Sequence, residues 1–211
     1  MQGVTTFTCM GDWHGAPVVP VTRQEWEEAR RKPQLAELCR LIEAGDEKLK
    51  RRLPVWTPHC GEFKENHRSI ADALMPLPRL MLDFDEKGHS KEILERSLQL
   101  QKEGKWEILL VEESVRKGTH VLINLPKGMT PQQAQQRFSK DVGFQADPAL
   151  KDIARCIYMV PAANTLYVSE RLFHAPQSIT EVSSALHSYP LRTSCSSPFK
   201  RDSMKIIRIN L

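Results

Sequence analysis

The chain has 211 residues, 40% of them hydrophobic and 27% charged, which excludes a disordered, collagen-like or coiled-coil protein and suits one domain with at most an appendage. Its formal charge of +4 is a mild excess that accords with a nucleic-acid or nucleotide partner. No apolar run approaches the ~18 residues of a membrane span, and MQGVTTFTCMGDWHG lacks the basic and apolar regions of a signal peptide, so a cytoplasmic protein with no membrane partner is expected.

The first twenty residues are turn-rich. Thr22 followed by Glu25 reads as a capping box, and Trp26 and Ala29 open an apolar stripe. Pro33 begins a second helix, Leu35, Leu38, Cys39 and Ile42 continue at helical spacing, and Gly45 stops it. With another turn or two over 46–52, residues 1–52 form a mainly helical N-terminal part. LPVWTPHCGEF (53–63) reads as a loop or irregular edge.

From there the pattern alternates. RLMLDFD (79–85) is a short strand, and SKEILERSLQLQKEG (90–104) a helix capped by Ser90 and ended by Gly104. WEILLVEES (106–114) is a buried strand, SVRKG (114–118) a loop and THVLINLP (119–126) a further strand. Thr130, Pro131 and Gln133 start a helix in the same capped manner as Thr22 and Glu25, and it ends at Gly143; ADPALKD (146–152) is a turn or short helix, ARCIYMVP (154–161) a strand, and AANTLYVS (162–169) its hairpin partner. This order predicts an α+β fold, a mixed and mostly antiparallel sheet flanked by helices, over residues 1–173. Residues 174–211 are a basic, partly ordered C-terminal extension; SITEVSSALHSYP can form a helix and KIIRINL a final strand. The five cysteines show no CxxC spacing, which argues against a disulfide framework or a Cys-based zinc site and fits a reducing compartment.

Three places carry chemistry. Asp83 and Asp85 end an apolar strand at i, i+2 spacing, so they project from one face. Paired carboxylates repel unless a cation lies between them, and Mg²⁺ takes one or two carboxylates plus substrate phosphates. The plainer alternative is a solvated polar turn, DFDEKGHS. His120 starts the next-but-one strand behind Arg116 and Lys117, groups able to pair with phosphate; a purely structural histidine is the alternative. Asp147 is either a third carboxylate or the cap of a short helix, and Asp152 and Arg155 suit a surface pair at i, i+3.

Taken in order, LMLDFD, SVRKGTHVLINL and QADPALKDIARCIYMVPAAN resemble the three motifs of the archaeo-eukaryotic primase (primase–polymerase) superfamily: an acid pair, a small-x-His on a strand, and a later Asp. LPVWTPHCGEF and the stretch through NTLYVSERLF resemble one branch, the primase-like N-terminal domain of virulence-associated E-type proteins of Bacteroidetes and their mobile elements. The resemblance covers about residues 5–173 and implies a primase-like core. The activity it implies is template-directed nucleotidyl transfer with Mg²⁺ or Mn²⁺ in mobile-element replication. Asp83, Asp85 and Asp147 would be catalytic and metal-binding, while His120, Lys117, Arg116 and Arg155 would bind nucleotide. Single-stranded DNA template and nucleoside triphosphates are the implied partners, with a replicative helicase alongside. A catalytically silent nucleic-acid- or nucleotide-binding module is the alternative, and a two-metal nuclease a second.

Overall fold

The computed structural model describes residues 7–12, 17–148 and 152–174. Strands β1 (Thr8–Asp12) and β2 (Val19–Val21) form where the sequence suggested only turns. Thr22 then caps α1 (Arg23–Arg31) by the expected reciprocal bonds with Glu25, and α2 (Pro33–Glu43) starts on its proline. Gly45 stops it at φ +114, a backbone shape that favours glycine, and a 3₁₀ helix covers Glu47–Arg52. The expected loop at 53–63 contributes β3 (Pro54–Trp56). It pairs antiparallel with β1 on one side and with β7 (Ile157–Tyr158) on the other, giving a first sheet ordered β2-β1-β3-β7.

The second sheet, ordered β4-β6-β5-β8, is also antiparallel throughout. Its strands are β4 (Arg79–Phe84), β5 (Ile108–Glu113), β6 (Thr119–Asn124) and β8 (Thr165–Val168). Helices α3 (Ser90–Lys102) and α4 (Pro131–Val142) cover one face. There Leu80, Leu82, Phe84, Val111, Val121 and Ile123 pack with Ile93, Leu100, Ala134 and Phe138. On the opposite face Met81, Leu110 and Leu122 join Trp26, Leu35, Ile42, Trp56 and Ile157 in a core shared with α1, α2 and the first sheet. Strands β4, β6 and β5 of the second sheet thus form a middle layer buried on both faces, which is why they read as nearly unbroken apolar runs.

The fold is therefore α+β, with the single expected sheet resolved into two. Two local expectations change with it. Ser90 is the first residue of α3 rather than its cap, because its hydroxyl bonds to Thr119 Oγ1 at 2.8 Å, tying the helix start to β6. The 162–169 strand pairs with β5 instead of its sequence neighbour β7, since a 3₁₀ turn at Ala162–Asn164 carries the chain from one sheet to the other. The expected helix at 178–190 and the final strand lie outside the described residues.

Candidate nucleotide-binding site

Along the inner face of the middle sheet, strands β4, β6 and β5 change from apolar to polar at the same level. Met81 is followed two residues on by Asp83, Leu122 is preceded by His120, and Leu110 is followed by Glu112. The register aligns them: Asp83 stands opposite His120 on β6, and His120 opposite Glu112 on β5. Three polar side chains therefore form one row across three strands, at one end of a face whose middle, at Met81, Leu110 and Leu122, is apolar.

A bulge makes this row possible. Ile108 pairs with Ile123, but Leu110 already pairs with Leu122, so Leu109 is an extra residue in β5. The side-chain period in a strand is two, so one inserted residue turns everything after it to the other face. Without the bulge, Glu112 would share the face of Ile108 and point into the helices.

The row runs from buried to open. Glu112 is 1% exposed and accepts a 2.6 Å bond from Arg30 Nη2 on α1, whose side chain is 3% exposed. Arg30 also donates from Nε to the Val160 carbonyl at 2.9 Å and lies over the Trp26 ring at 4.3 Å. The other oxygen of Glu112 is 3.2 Å from His120 Nδ1. His120 Nε2 is 3.7 Å from Asp83 Oδ1. Beyond Asp83 lies a cavity of about 580 Å³.

Asp83, Asp85 and His120 all line this cavity, so the structure brings together the acid pair and the histidine picked out in the sequence. Four cations also line it: Lys50, Arg68, Arg116 and Arg155. Burial, then the neighbouring Arg116, hold the Lys50 ammonium below the usual lysine range, against the opposing pull of Asp83, Glu47 and Asp85. The same ammonium sits 4.9 Å from the centre of the Tyr158 ring. Arg116 is held by Glu47 at 2.9 Å.

Gly118, between the lining residues Arg116 and His120, packs against the end of β4. A Cβ there would come within 2.5 Å of the Phe84 carbonyl oxygen and 3.4 Å of Asp85 Cα. Only a residue without a side chain lets the loop before His120 lie directly against the end of the acid-bearing strand.

The remaining expected residues are placed differently. Lys117 is not among the cavity-lining residues; its ammonium lies 3.5 Å from Glu43 and 3.7 Å from Glu113. Asp147 is joined to the acid strand by its backbone, its amide donating to the Asp83 carbonyl at 2.7 Å, while its own carbonyl accepts from Gln135. Its carboxylate is 4.0 Å from Arg155, which lines the cavity together with Asp152, whose carboxylate accepts from the Ala154 amide at 2.9 Å. The helix that Asp147 would cap falls on residues 149–151, outside those described.

As a cation site, the cavity offers Asp83 and Asp85; Asp152 also lines it but is not grouped with them. Among the described residues no three His, Cys, Asp or Glu side chains are grouped to hold a metal ion by themselves. Two carboxylates facing a space lined by phosphate-pairing cations still fit the way Mg²⁺ is commonly held, by one or two carboxylates and the substrate's own phosphates.

Glu112, Arg30, Lys50, Arg68 and Tyr158 were not singled out in the sequence. Arg30 had a visible signal, since it lies one turn after Trp26 on the buried stripe of α1. Lys50 is hidden in the charged run EKLKRR, and Arg68 in an irregular segment. Comparison with family models, with curated proteins and with solved structures gives no match for this chain.

Proposed function

We propose that this protein is a primase-like nucleotidyltransferase that extends a strand on a single-stranded DNA template, using nucleoside triphosphates and Mg²⁺ or Mn²⁺. The observation that supports this best is the cross-strand pairing of Asp83 with His120 at a cavity shared by Asp85 and four cations. It joins carboxylates suited to a divalent cation with side chains suited to a polyphosphate. In the reaction, the 3′-oxygen forms a bond to the α-phosphorus while the bond from that phosphorus to pyrophosphate breaks. Mg²⁺ or Mn²⁺ held by Asp83 and Asp85 would supply charge neutralisation at the attacking and departing oxygens. Lys50, Arg68 and Arg116 would take the phosphate charge, and His120 Nε2 would bind a phosphate or ribose oxygen. Arg155 would contact phosphate while bracing Asp147, which joins the site through the Asp83 backbone. Most catalysis of phosphoryl transfer comes from such positioning and electrostatics.

Primer synthesis on single-stranded DNA with Mg²⁺ or Mn²⁺ and all nucleotides tests the proposal. Activity should be present in the full chain and fall by at least 10²-fold in Asp83→Asn and in Asp85→Asn. Unchanged synthesis in the double variant would refute the assigned roles. A second reading, a catalytically silent module that binds single strands, draws on the absence of a three-ligand metal group among the described residues. It predicts salt-sensitive DNA binding that is indifferent to divalent metal and to both Asp substitutions.

A further inference from the structure

Glu112 on β5 and Arg30 on α1 form an ion pair buried between that helix and the middle sheet. Such a pair is a poor way to stabilise a core, because desolvating both charges cancels much of their attraction. Well-packed apolar residues would serve stability as well. What the pair does have is a directional contact: the Glu112 oxygen not held by Arg30 faces His120 Nδ1. A β-bulge is spent on bringing it there.

We propose that Glu112 is the positioning residue of His120. It holds a proton on Nδ1, fixes the plane of the ring, and so keeps Nε2 turned to Asp83 and the cavity. Arg30 supplies the compensating charge that lets a carboxylate occupy this depth, and it orients that carboxylate by taking one oxygen. The chain Arg30–Glu112–His120 thus resembles in logic the carboxylate–histidine pairs that fix an imidazole's tautomer behind a reacting group. The role in turnover rests on the nucleotidyl-transfer reading, since it assumes that substrate meets His120; the tautomer itself does not.

Imidazole ¹⁵N NMR on the full chain at about pH 8 tests this, with the His120 signals assigned by their loss in His120→Asn. The wild-type ring should carry its proton on Nδ1. Glu112→Gln keeps the size of the side chain but not its symmetry. Its oxygen will face the Arg30 donors, so its amide N–H₂ will face Nδ1, and the ring proton should move to Nε2. Primer synthesis should fall about 10- to 100-fold with it. A wild-type ring with bare Nδ1 overturns the proposal, and so does a Glu112→Gln protein with the wild-type nitrogen pattern. The wild-type spectrum decides the matter even where the variant does not fold. The two readings fail separately. If the tautomer switches as expected while the full chain synthesises no primer with either metal, it is the nucleotidyl-transfer reading that falls.

Discussion

Replacing Arg30 by Met tests the energetics of the buried row directly. The substitution keeps most of the aliphatic volume but deletes the bond to Glu112 at 2.6 Å, the bond to the Val160 carbonyl at 2.9 Å and the stacking over Trp26 at 4.3 Å. Its main effect is to leave a 1%-exposed carboxylate with no guanidinium beside it. Breaking a buried pair from one side costs about 3–5 kcal/mol. In a protein of this size each kcal/mol is worth roughly 2–4 °C, so the melting temperature should drop by roughly 10 °C. Removing both charges should be gentler. Arg30→Met with Glu112→Leu replaces the pair by apolar groups and leaves His120 Nδ1 without its acceptor, a loss of about 1–3 kcal/mol. Urea unfolding of both singles and the double closes a mutant cycle. A coupling of at least 2 kcal/mol is expected, with the double more stable than Arg30→Met alone. If Arg30→Met costs under 1 kcal/mol, or the singles simply add, the carboxylate does not depend on Arg30.

Two further outcomes follow from the packing and the buried thiols. Gly118→Ala should cost about 1–3 kcal/mol in chemical denaturation, because its Cβ would meet a backbone oxygen at 2.5 Å and backbone yields little; a neutral result would show that the loop does not lie against Phe84. Burial pushes the Cys9 thiol up from 9.0 to about 12, with Cys60 adding to the shift. Below pH 9 the folded and unfolded chains both keep that proton, whereas above it only the folded one does, so stability should fall as pH rises from about 9 towards 12. Replacing Cys9 by Ala should flatten the fall, as followed by denaturation at stepped pH, and an identical slope would exclude Cys9 as its source.

The sequence carried its message unevenly, for physical reasons. Signals set by neighbours along the chain were legible: the Thr22 and Thr130 capping boxes, the prolines that open α2 and α4, and the strands holding Asp83 and His120. Signals set by partners far along the chain were not. The division into two sheets depends on whether β8 pairs with β7 or β5, and nothing within 162–169 states that choice. Ser90 has the composition of a cap, but a better partner waits on β6. Glu112 is the sharpest case. A period-two reading of ILLVEE from Ile108 turns it towards the helices, and only the extra residue at Leu109 turns it to His120. The acid pair and the histidine were thus readable as candidates, while the row behind them was not.

The connection between β7 and β8 has one more consequence. β7 is the outermost strand of the first sheet and β8 the outermost strand of the second, and the few residues between them join the two rims. Ile157 and Tyr158 on β7 wall the cavity, the Val160 carbonyl holds Arg30, and Asn164 donates to the Glu113 carbonyl at 3.2 Å. Rims are where sheets fray first, but here neither can fray alone, because peeling one pulls on the other. Opening of the cavity on this side should therefore be coupled to loosening of β8. A ligand that tightens the cavity should slow amide exchange along β8, a strand that supplies none of its walls.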